Sequence, residues 1–335
     1  MSNEEPKTKK KPSVRETALR VAKLLLETNF FATTRDGKEI FVYNEEKGVY
    51  EKVGESFIKE QVERYVPYEA SRHLCSEVEG RIERRTYIDR RKFDSDPNII
   101  NLQNGLFDLR TQKLSKHDPR HLSRIQLPFS FDPSRKAPRF SKFLSEVQPE
   151  EKTREYLLEV MAYCFFPDCS LETAFIFNGS GNNGKTVFLR VLEALLGNDN
   201  VSNMSLQALA SDKFSEAGLD GKLANIYYDL ASEDIRTTGK LKNIISGEWL
   251  DVRTIYGRPF KMRSRAKLIA SCNKVPDASN DKTDAWFRRW RIIDWVVKFG
   301  VGEKNAADKQ LDKKLTTSDE LSGVFNMILP RLQRL

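Results

Sequence analysis

The segment FNGSGNNGKTVFLRV, residues 177–191, constrains the fold more than any other part of the sequence. It continues the apolar run AFIFN (174–178) and leads into VFLRVLEALLG (187–197), an apolar run with helical character that ends at a glycine. Residues 179–186 fit the pattern G-x-x-x-x-G-K-S/T. Glycines let the backbone turn successive N–H groups inward, which makes a concave anion site at a helix start. The segment therefore predicts a strand, a phosphate-binding loop and a helix; the alternative is a surface turn rich in Gly and Asn.

The predicted loop gives each of its residues a role in nucleotide binding. Lys185 is expected to reach the β- and γ-phosphates of a nucleoside triphosphate, and the Thr186 hydroxyl is expected to ligate Mg²⁺. The helix that starts near Gly184 adds the positive end of its dipole. The predicted nucleotide-binding residues are Gly179, Ser180, Gly181, Asn182, Asn183, Gly184, Lys185, Thr186 and Val187.

Further apolar runs follow the loop at residues 223–230, 267–272 and 290–297. Short apolar strands that alternate with helices are typical of a mainly parallel sheet with helices on both faces. This part of the chain is therefore predicted to be an α/β domain.

A phosphate-binding loop of this kind needs a carboxylate at the end of a neighbouring strand, which holds Mg²⁺ and orients water. The run KLANIYYDLASEDI at 222–235 offers Asp229 directly after apolar and aromatic residues. We predict that Asp229 ligates Mg²⁺ and that Glu233 acts as the base that activates water. The alternative for Glu233 is an acidic helix start, capped by Ser232.

Three polar residues further along the chain complete the predicted catalytic set. Asn273 follows a buried strand, where ligands bind in open α/β sheets, although an Asn in this position also starts turns. Arg288 and Arg289 are candidates to stabilise the charge of the transferring phosphoryl group, in cis or from a neighbouring subunit. The alternative for these arginines is a basic surface strand, on which adjacent side chains would point opposite ways.

The most basic part of the sequence lies between Asp229 and Asn273. Residues 253–274 contain seven Lys and Arg residues and no acid. They are predicted to form a hairpin around the turn Gly257-Arg258-Pro259 that binds a phosphate backbone, with Tyr256 stacking on a base. The alternative is a solvated basic edge. The side chains predicted to share one face are Lys261, Arg263, Arg265 and Lys267.

Composition limits the class of protein without deciding it. The chain has 335 residues and a net charge of +8, which permits a nucleic-acid partner. Its four cysteines form no C-x-x-C pair, so free thiols are expected. The polar N-terminus does not resemble a signal peptide, and no apolar run reaches the roughly 18 residues of a membrane span. We expect a soluble protein that is located in the cytoplasm and has no membrane partner.

Changes in sequence texture suggest five segments. The N-terminal region carries two hairpin-like stretches among helical patterns, which predicts a mixed α+β domain. The predicted segments are a flexible tail (1–12), an N-terminal accessory domain (13–135), a helical linker or collar (136–172), the α/β core (173–300) and a C-terminal helical segment (301–335).

The order of these motifs, from Lys185 through Asp229, the basic hairpin and Asn273 to Arg288-Arg289, resembles the superfamily 3 helicases. The likeness is greatest to the phage/plasmid and poxvirus-type primase-helicases. It extends upstream, where NLQNGLFDLRTQKL at 101–114 is similar to a signature of the domain that precedes the helicase in that family. The resemblance covers roughly residues 40–330.

The resemblance implies an AAA+-like P-loop core that forms hexameric rings on single-stranded DNA. It also implies ATP as the nucleotide. Its motifs correspond to Gly179, Gly184, Lys185 and Thr186 (Walker A), Asp229 (Walker B), Asn273 (sensor 1), Arg288 and Arg289 (the pair that includes the arginine finger) and the 256–261 hairpin (the loop that grips DNA).

The chain departs from the family pattern in three places. Many members carry paired acids in motif B, whereas Tyr228 precedes the single Asp229 here, which leaves the base open. No pattern for nucleotide polymerisation is visible before residue 174. The end, GVFNMILPRLQRL, resembles a family helix cut short, which suggests a longer parent chain.

The sequence thus predicts an ATP-dependent replicative DNA helicase of a virus, plasmid or integrated element, with Mg²⁺ as cofactor. Its expected partners are single-stranded or forked DNA and further copies of itself, and its DNA contacts are expected at Tyr256, Arg258, Lys261 and Arg263. The alternative is a nucleotide-switched initiator that assembles on DNA without processive unwinding. A P-loop kinase of small molecules is a third reading, although it would not use the basic hairpin.

Overall fold

The structure is a computed structural model that describes residues 12–230, 235, 237–255, 257–276, 283–300 and 310–335. It divides into two compact units, with the division between Lys92 and Phe93. Across the described residues, every helix is too short or too polar to span a bilayer.

The first unit is a mixed α/β unit with a four-stranded sheet. Its elements are α1 (Val14–Thr28), β1 (Phe31–Thr34), β2 (Ile40–Asn44), β3 (Val49–Glu51), α2 (Gly54–Tyr65), α3 (Arg72–Arg85) and β4 (Tyr87–Ile88). The strand order is β3-β2-β1-β4. β2 and β3 form the first of the two hairpin-like stretches that the sequence predicts, and α1 begins at a capping box between Ser13 and Glu16.

The second unit begins with a three-stranded antiparallel sheet. Its strands are β5 (Ile99–Leu102), β6 (Gly105–Asp108) and β7 (Lys113–Ser115), in that order. β5 and β6 form the second predicted hairpin. Residues 93–135, which the sequence groups with the N-terminal domain, therefore lie in the second unit. The predicted linker contains two helices, α4 (Pro138–Val147) and α5 (Glu151–Tyr163).

The rest of the second unit alternates strands and helices. Its elements are β8 (Ala174–Asn178), α6 (Lys185–Leu196), β9 (Val201–Ser202), α7 (Leu206–Ser211), β10 (Ala224–Tyr227), α8 (Gly239–Ile245), β11 (Trp249–Val252), β12 (Phe260–Arg263), β13 (Lys267–Cys272), α9 (Asp284–Phe287), β14 (Trp290–Asp294), α10 (Leu311–Leu315) and α11 (Ser318–Arg334).

Five of these strands form one parallel sheet in the order β14-β8-β13-β10-β9. The parallel sheet that the sequence predicts is confirmed. After β8 the chain crosses to β9 at one edge of the sheet and then adds β10 and β13 back towards β8. The last strand, β14, pairs with β8 on its other side. The strand order therefore changes direction at β8, and in open α/β sheets such a switch point opens a crevice at the carboxyl ends of the strands.

Two apolar cores cover the two faces of this sheet. Because side chains alternate along a strand, Phe175 and Phe177 of β8 join the core that includes α4, α5, α6 and α11. Ala174 and Ile176 join the core that includes α7, α8 and the strands β11 and β12. β8 is thus covered on both faces, which explains its uninterrupted apolar sequence.

Candidate functional site at the carboxyl edge of the parallel sheet

The glycine-rich segment forms the predicted strand, loop and helix. β8 ends at Asn178, and α6 begins at Lys185 directly after Gly184. Gly184 has a φ of 88°, and a Cβ atom there would lie 2.5 Å from Cγ1 of Val147 in α4. Position 184 therefore needs glycine both for its left-handed backbone and for its close approach to α4.

Lys185 lies inside the loop and not on its surface. Its side chain is buried, and the Nζ group donates to the Gly179 carbonyl oxygen and, at 3.2 Å, to Oδ1 of Asn183. Nδ2 of Asn183 in turn donates to the Trp295 carbonyl oxygen at 3.2 Å, which ties the loop to the chain after β14. Burial lowers the pKa of Lys185. The loop thus holds one ammonium group that has few partners inside the protein and can bind an anion.

Asp229 and Asn273 follow two neighbouring strands of the sheet. β10 and β13 pair in parallel, as do β13 and β8, so their carboxyl ends lie at one edge together with the loop. Asp229 and Asn273 are both exposed at that edge, as is Thr186 in the first turn of α6. The structure therefore brings together the loop, Thr186, Asp229 and Asn273.

These residues line one cavity of roughly 1070 Å³. The volume suits a ligand of nucleotide size. The residues from the loop and the strand ends that line it are Gly181, Asn182, Asn183, Gly184, Lys185, Thr186, Val187, Tyr228, Asp229, Ser271, Cys272 and Asn273. Gly179 and Ser180 precede this lining, and the Gly179 carbonyl is a partner of Lys185.

Sequence reasoning missed a second wall of the cavity. It consists of Arg139, Lys142, Phe143, Glu146 and Val147 of α4, with Val297, Phe299, Leu311 and Lys314. The α4 residues follow the helical spacing of one face, which was the available signal. The backbone N–H of Phe299 donates to the Asn182 carbonyl oxygen at 2.8 Å, so this wall is joined to the loop.

The donors in the cavity fit a magnesium ion. Thr186 offers a hydroxyl and Asp229 a carboxylate, and Mg²⁺ is usually held by one or two such oxygen ligands together with phosphate oxygens and water. Among the residues that the structure describes, no group of three or more His, Cys, Asp or Glu side chains is placed to hold a metal. Burial and the nearby Asp229 charge together raise the pKa of the Cys272 thiol to about 11, against the opposing effect of Lys185, so this thiol stays neutral.

Two predicted site residues lie outside the described residues. They are Glu233, the predicted base, and Tyr256, the predicted stacking residue of the hairpin turn.

Arg288 and Arg289 lie in the turn between α9 and β14 and not on a strand, so the alternative of a basic surface strand does not hold. They stand at the amino edge of the parallel sheet, and the five residues of β14 place roughly 16 Å of strand between them and the carboxyl edge. Neither residue lines the cavity.

The two arginines differ in their contacts. The Arg289 side chain is 11% exposed and pairs with Glu172 at 3.2 Å. Its guanidinium also donates to Oγ of Ser246 at 2.8 and 3.0 Å and to the Ala285 carbonyl oxygen. The Arg288 side chain is 65% exposed, and its nearest carboxylate is Glu172 at 3.9 Å. Arg289 is therefore fixed within its own subunit, whereas Arg288 can reach outward.

β11 and β12 form an antiparallel ribbon at the predicted hairpin. Phe260 and Met262 are buried, whereas Lys261 and Arg263 are exposed, as the alternation predicts. Arg258 is exposed in the turn. Sequence reasoning missed Trp249, which lies opposite Arg263 in the register and whose ring is 5.0 Å from the Arg263 guanidinium.

The prediction that Arg265 and Lys267 share the exposed face is wrong. β12 ends at Arg263, and the chain then enters the central sheet at Lys267. Arg265 donates to the Asp94 carbonyl oxygen at 3.0 Å. Lys267 is 1% exposed, and its Nζ donates at 2.7, 2.7 and 2.9 Å to three carbonyl oxygens, those of Phe166, Asp168 and Arg265. The two side chains bind the protein's own backbone.

Comparison with family models gives two matches. Residues 6–149 match the family described as "D5 N terminal like", and residues 177–289 match a family of unknown function, DUF5906. The protein named "Putative helicase L207/L206" of Acanthamoeba polyphaga mimivirus is 24% identical over 220 residues, which cover 62% of this chain and 23% of that protein. The protein named "Putative primase C962R" of African swine fever virus (isolate Tick/Malawi/Lil 20-1/1983) is 21% identical over 241 residues, covering 68% of this chain and 24% of that protein.

These matches support a viral primase-helicase family, since the relatives are viral proteins named as putative helicases and primases. The chain spans about a quarter of the length of these two curated relatives.

A solved structure shares the fold of this chain. "The A form apo structure of NrS-1 C terminal region-CTR" aligns with a TM-score of 0.61 at 13% identity, over 90% of this chain and 68% of that one. At this identity the likeness concerns the fold alone.

Proposed function

We propose that the chain is the ATPase part of a superfamily 3 DNA helicase with an AAA+-like P-loop core, encoded by a virus, plasmid or integrated element and acting in the host cytoplasm. The observation that carries this proposal is the cavity in which Lys185, Asp229 and Asn273 meet at the switch point of the sheet. Two relatives are named as a putative helicase and a putative primase, which supports the same proposal.

Each cavity residue then has a part in ATP hydrolysis. The loop N–H groups and Lys185 bind the phosphates, and Thr186 and Asp229 hold Mg²⁺. The ion would neutralise charge that develops on the β- and γ-phosphate oxygens. Asn273, at the end of β13, is placed to contact the γ-phosphate or the attacking water. The identity of the base stays open, with Glu233 as the candidate from the sequence.

Arg288 is the better candidate for the arginine finger. It lies at the sheet edge opposite the cavity of its own subunit, so it would reach the ATP of a neighbouring copy. Arg289, fixed by Ser246 and Glu172, would hold the turn that presents Arg288. This arrangement requires a closed assembly in which each subunit completes the next site, and we propose a ring, with six subunits by family resemblance.

The ribbon of β11 and β12 is the proposed DNA contact. Arg258, Lys261 and Arg263 are exposed and could bind successive phosphates of one strand. Trp249 is 45% exposed, and its aromatic face lies next to Arg263. This face suits stacking on a base.

The decisive test compares ATP hydrolysis by the wild type and K185A, with and without single-stranded DNA. We expect K185A to lower the rate by at least about 100-fold, because the variant lacks the ammonium group that would stabilise the charge on the transferred phosphoryl group. K152A is the matched control, since Lys152 is an exposed lysine on α5 outside the cavity. Hydrolysis that survives in K185A would contradict the ATPase proposal. Strand displacement on a forked duplex separates a helicase from an initiator, which would bind and assemble without displacing the strand.

A further inference from the structure

Tyr228 connects the cavity to a carboxylate outside it. Tyr228 lines the cavity directly before Asp229, and its hydroxyl donates to Oε2 of Glu193 on α6. Glu193 does not line the cavity. The ladder of β10 ends at Tyr227, so the sheet no longer fixes the backbone at Tyr228 and Asp229. The hydrogen bond from Tyr228 to Glu193 holds the chain in place directly before Asp229.

Glu193 is itself held in place. Nδ2 of Asn203, which follows β9, donates to Oε1 of Glu193 at 3.0 Å and to the Ile226 carbonyl oxygen at 3.0 Å. One amide group thus joins the end of β9, the last turn of α6 and the end of β10. Both Glu193 oxygens have a partner, which restricts the carboxylate to one orientation.

The other side of Asp229 is fixed by the backbone. The N–H of Leu230 donates to the Ser271 carbonyl oxygen at 2.7 Å. Asp229 is therefore bracketed by a side-chain anchor at Tyr228 and a backbone anchor at Leu230, although its own side chain is exposed in the cavity.

We infer that the hydrogen-bonded chain from Asn203 through Glu193 to Tyr228 positions the Asp229 carboxylate for the metal of the metal–nucleotide complex. The inference rests on the proposed function, which places Mg²⁺ at Asp229. Glu193 and Tyr228 are positioning residues, and neither touches the metal. Outer partners of this kind typically change metal affinity by about 10- to 100-fold when they are removed.

The test measures metal binding directly. Mn²⁺ is titrated into the full chain with a non-hydrolysable ATP analogue, and bound metal is followed by electron paramagnetic resonance. We expect Y228F and E193A each to weaken Mn²⁺ binding by about tenfold. The double variant should be no weaker than either single variant, since both remove the same hydrogen bond. E193Q keeps one acceptor for the tyrosine hydroxyl and should recover most of the affinity.

Y227F is the matched control. Tyr227 precedes Tyr228 on β10 and packs on the opposite face of the sheet, so loss of its hydroxyl should leave metal affinity unchanged. Nucleotide binding without metal, measured with a fluorescent analogue, should be equal in all variants, and their melting temperatures report folding.

The outcomes separate the two proposals. Nucleotide binding that depends on Lys185, combined with wild-type metal affinity in Y228F and E193A, contradicts this inference alone. Multiplied losses in the double variant also contradict it, because the two residues would then act separately. A wild type that binds neither nucleotide nor metal overturns the proposed function and this inference with it.

Discussion

The two edges of the parallel sheet carry similar charged residues in different environments. At the carboxyl edge, Lys185 and Asp229 line a cavity. At the amino edge, Lys267 and Arg289 are held by carbonyl and hydroxyl oxygens of their own subunit. The cavity that holds Lys185 and Asp229 opens at the carboxyl ends of the strands, where the strand order reverses. A basic residue in this fold is thus a ligand contact or a structural anchor according to the edge at which its strand places it.

The largest expected effect concerns Arg288, which lies at the amino edge but is proposed to contact the ATP of a neighbouring subunit. R288A is expected to reduce ATP hydrolysis by about 1,000-fold, as loss of an arginine finger does, with stability within about 0.5 kcal/mol of the wild type. R289A, in contrast, should lower the free energy of unfolding by about 2 kcal/mol, because it removes the charged donor of several hydrogen bonds to the partly buried Ser246 and Ala285.

Mixing variants sharpens the comparison. A ring of K185A subunits alone and a ring of R288A subunits alone are both inactive. In a mixed ring, each interface that joins Lys185 of an R288A subunit to Arg288 of a K185A subunit has both residues intact. Activity should return on mixing, as measured by phosphate release. Two inactive variants that stay inactive in a proven mixed ring would place Arg288 outside the catalytic interface.

Lys267 tests the structural character of the amino edge. K267M should lower the free energy of unfolding by about 3 kcal/mol, since three carbonyl oxygens lose their donor. K261M, on the exposed ribbon, should change it by less than about 0.5 kcal/mol. Chemical denaturation of the two variants measures the difference, and equal stabilities would show that Lys267 is no anchor.

The pH dependence of stability is the next test of Lys267. Burial lowers its pKa from 10.5 to about 8 in the folded protein. Between these two values the unfolded chain binds more protons than the folded one, so the free energy of unfolding rises with pH. Relative to K267M, the wild type should gain up to about 3 kcal/mol from pH 8 to pH 10.5, and nothing below pH 8. Denaturation curves at a series of pH values measure the difference in unfolding free energy between the wild type and K267M. A difference that does not change between pH 8 and pH 10.5 would contradict the lowered pKa of Lys267.

The exposed ribbon should show the smallest effects, and they should depend on salt. K261A and R263A are each expected to weaken binding to single-stranded DNA several-fold and to reduce the salt slope of the affinity by about 0.7. Fluorescence anisotropy at several salt concentrations measures the slope, with K152A as control. An unchanged slope would remove the ribbon from the DNA contact.

The sequence predicts those parts of the site that depend on local spacing. The glycine pattern before Lys185 encodes strand, loop and helix within a few residues, and the apolar runs predict the parallel sheet that places Asp229 and Asn273 at its carboxyl edge. The wall from α4 depends on tertiary packing across more than thirty positions, which no local pattern records.

The error at Arg265 and Lys267 has a physical cause. Alternation predicts a shared face only while a strand continues, and β12 ends at Arg263. Likewise, Arg288 and Arg289 precede β14 and lie in a turn, so strand alternation does not apply to them. Strand ends are set by tertiary pairing, which single-sequence patterns locate poorly.

The contact between Gly184 and Val147 limits how this phosphate loop could be transplanted. The loop is complete in sequence, yet its last glycine fits only against one particular face of α4. A graft of residues 178–196 into another scaffold would carry the phosphate-binding amides and leave behind the surface that shapes them. The smallest portable piece therefore includes residues 138–147, and the loop and that helix have to change together if either one changes.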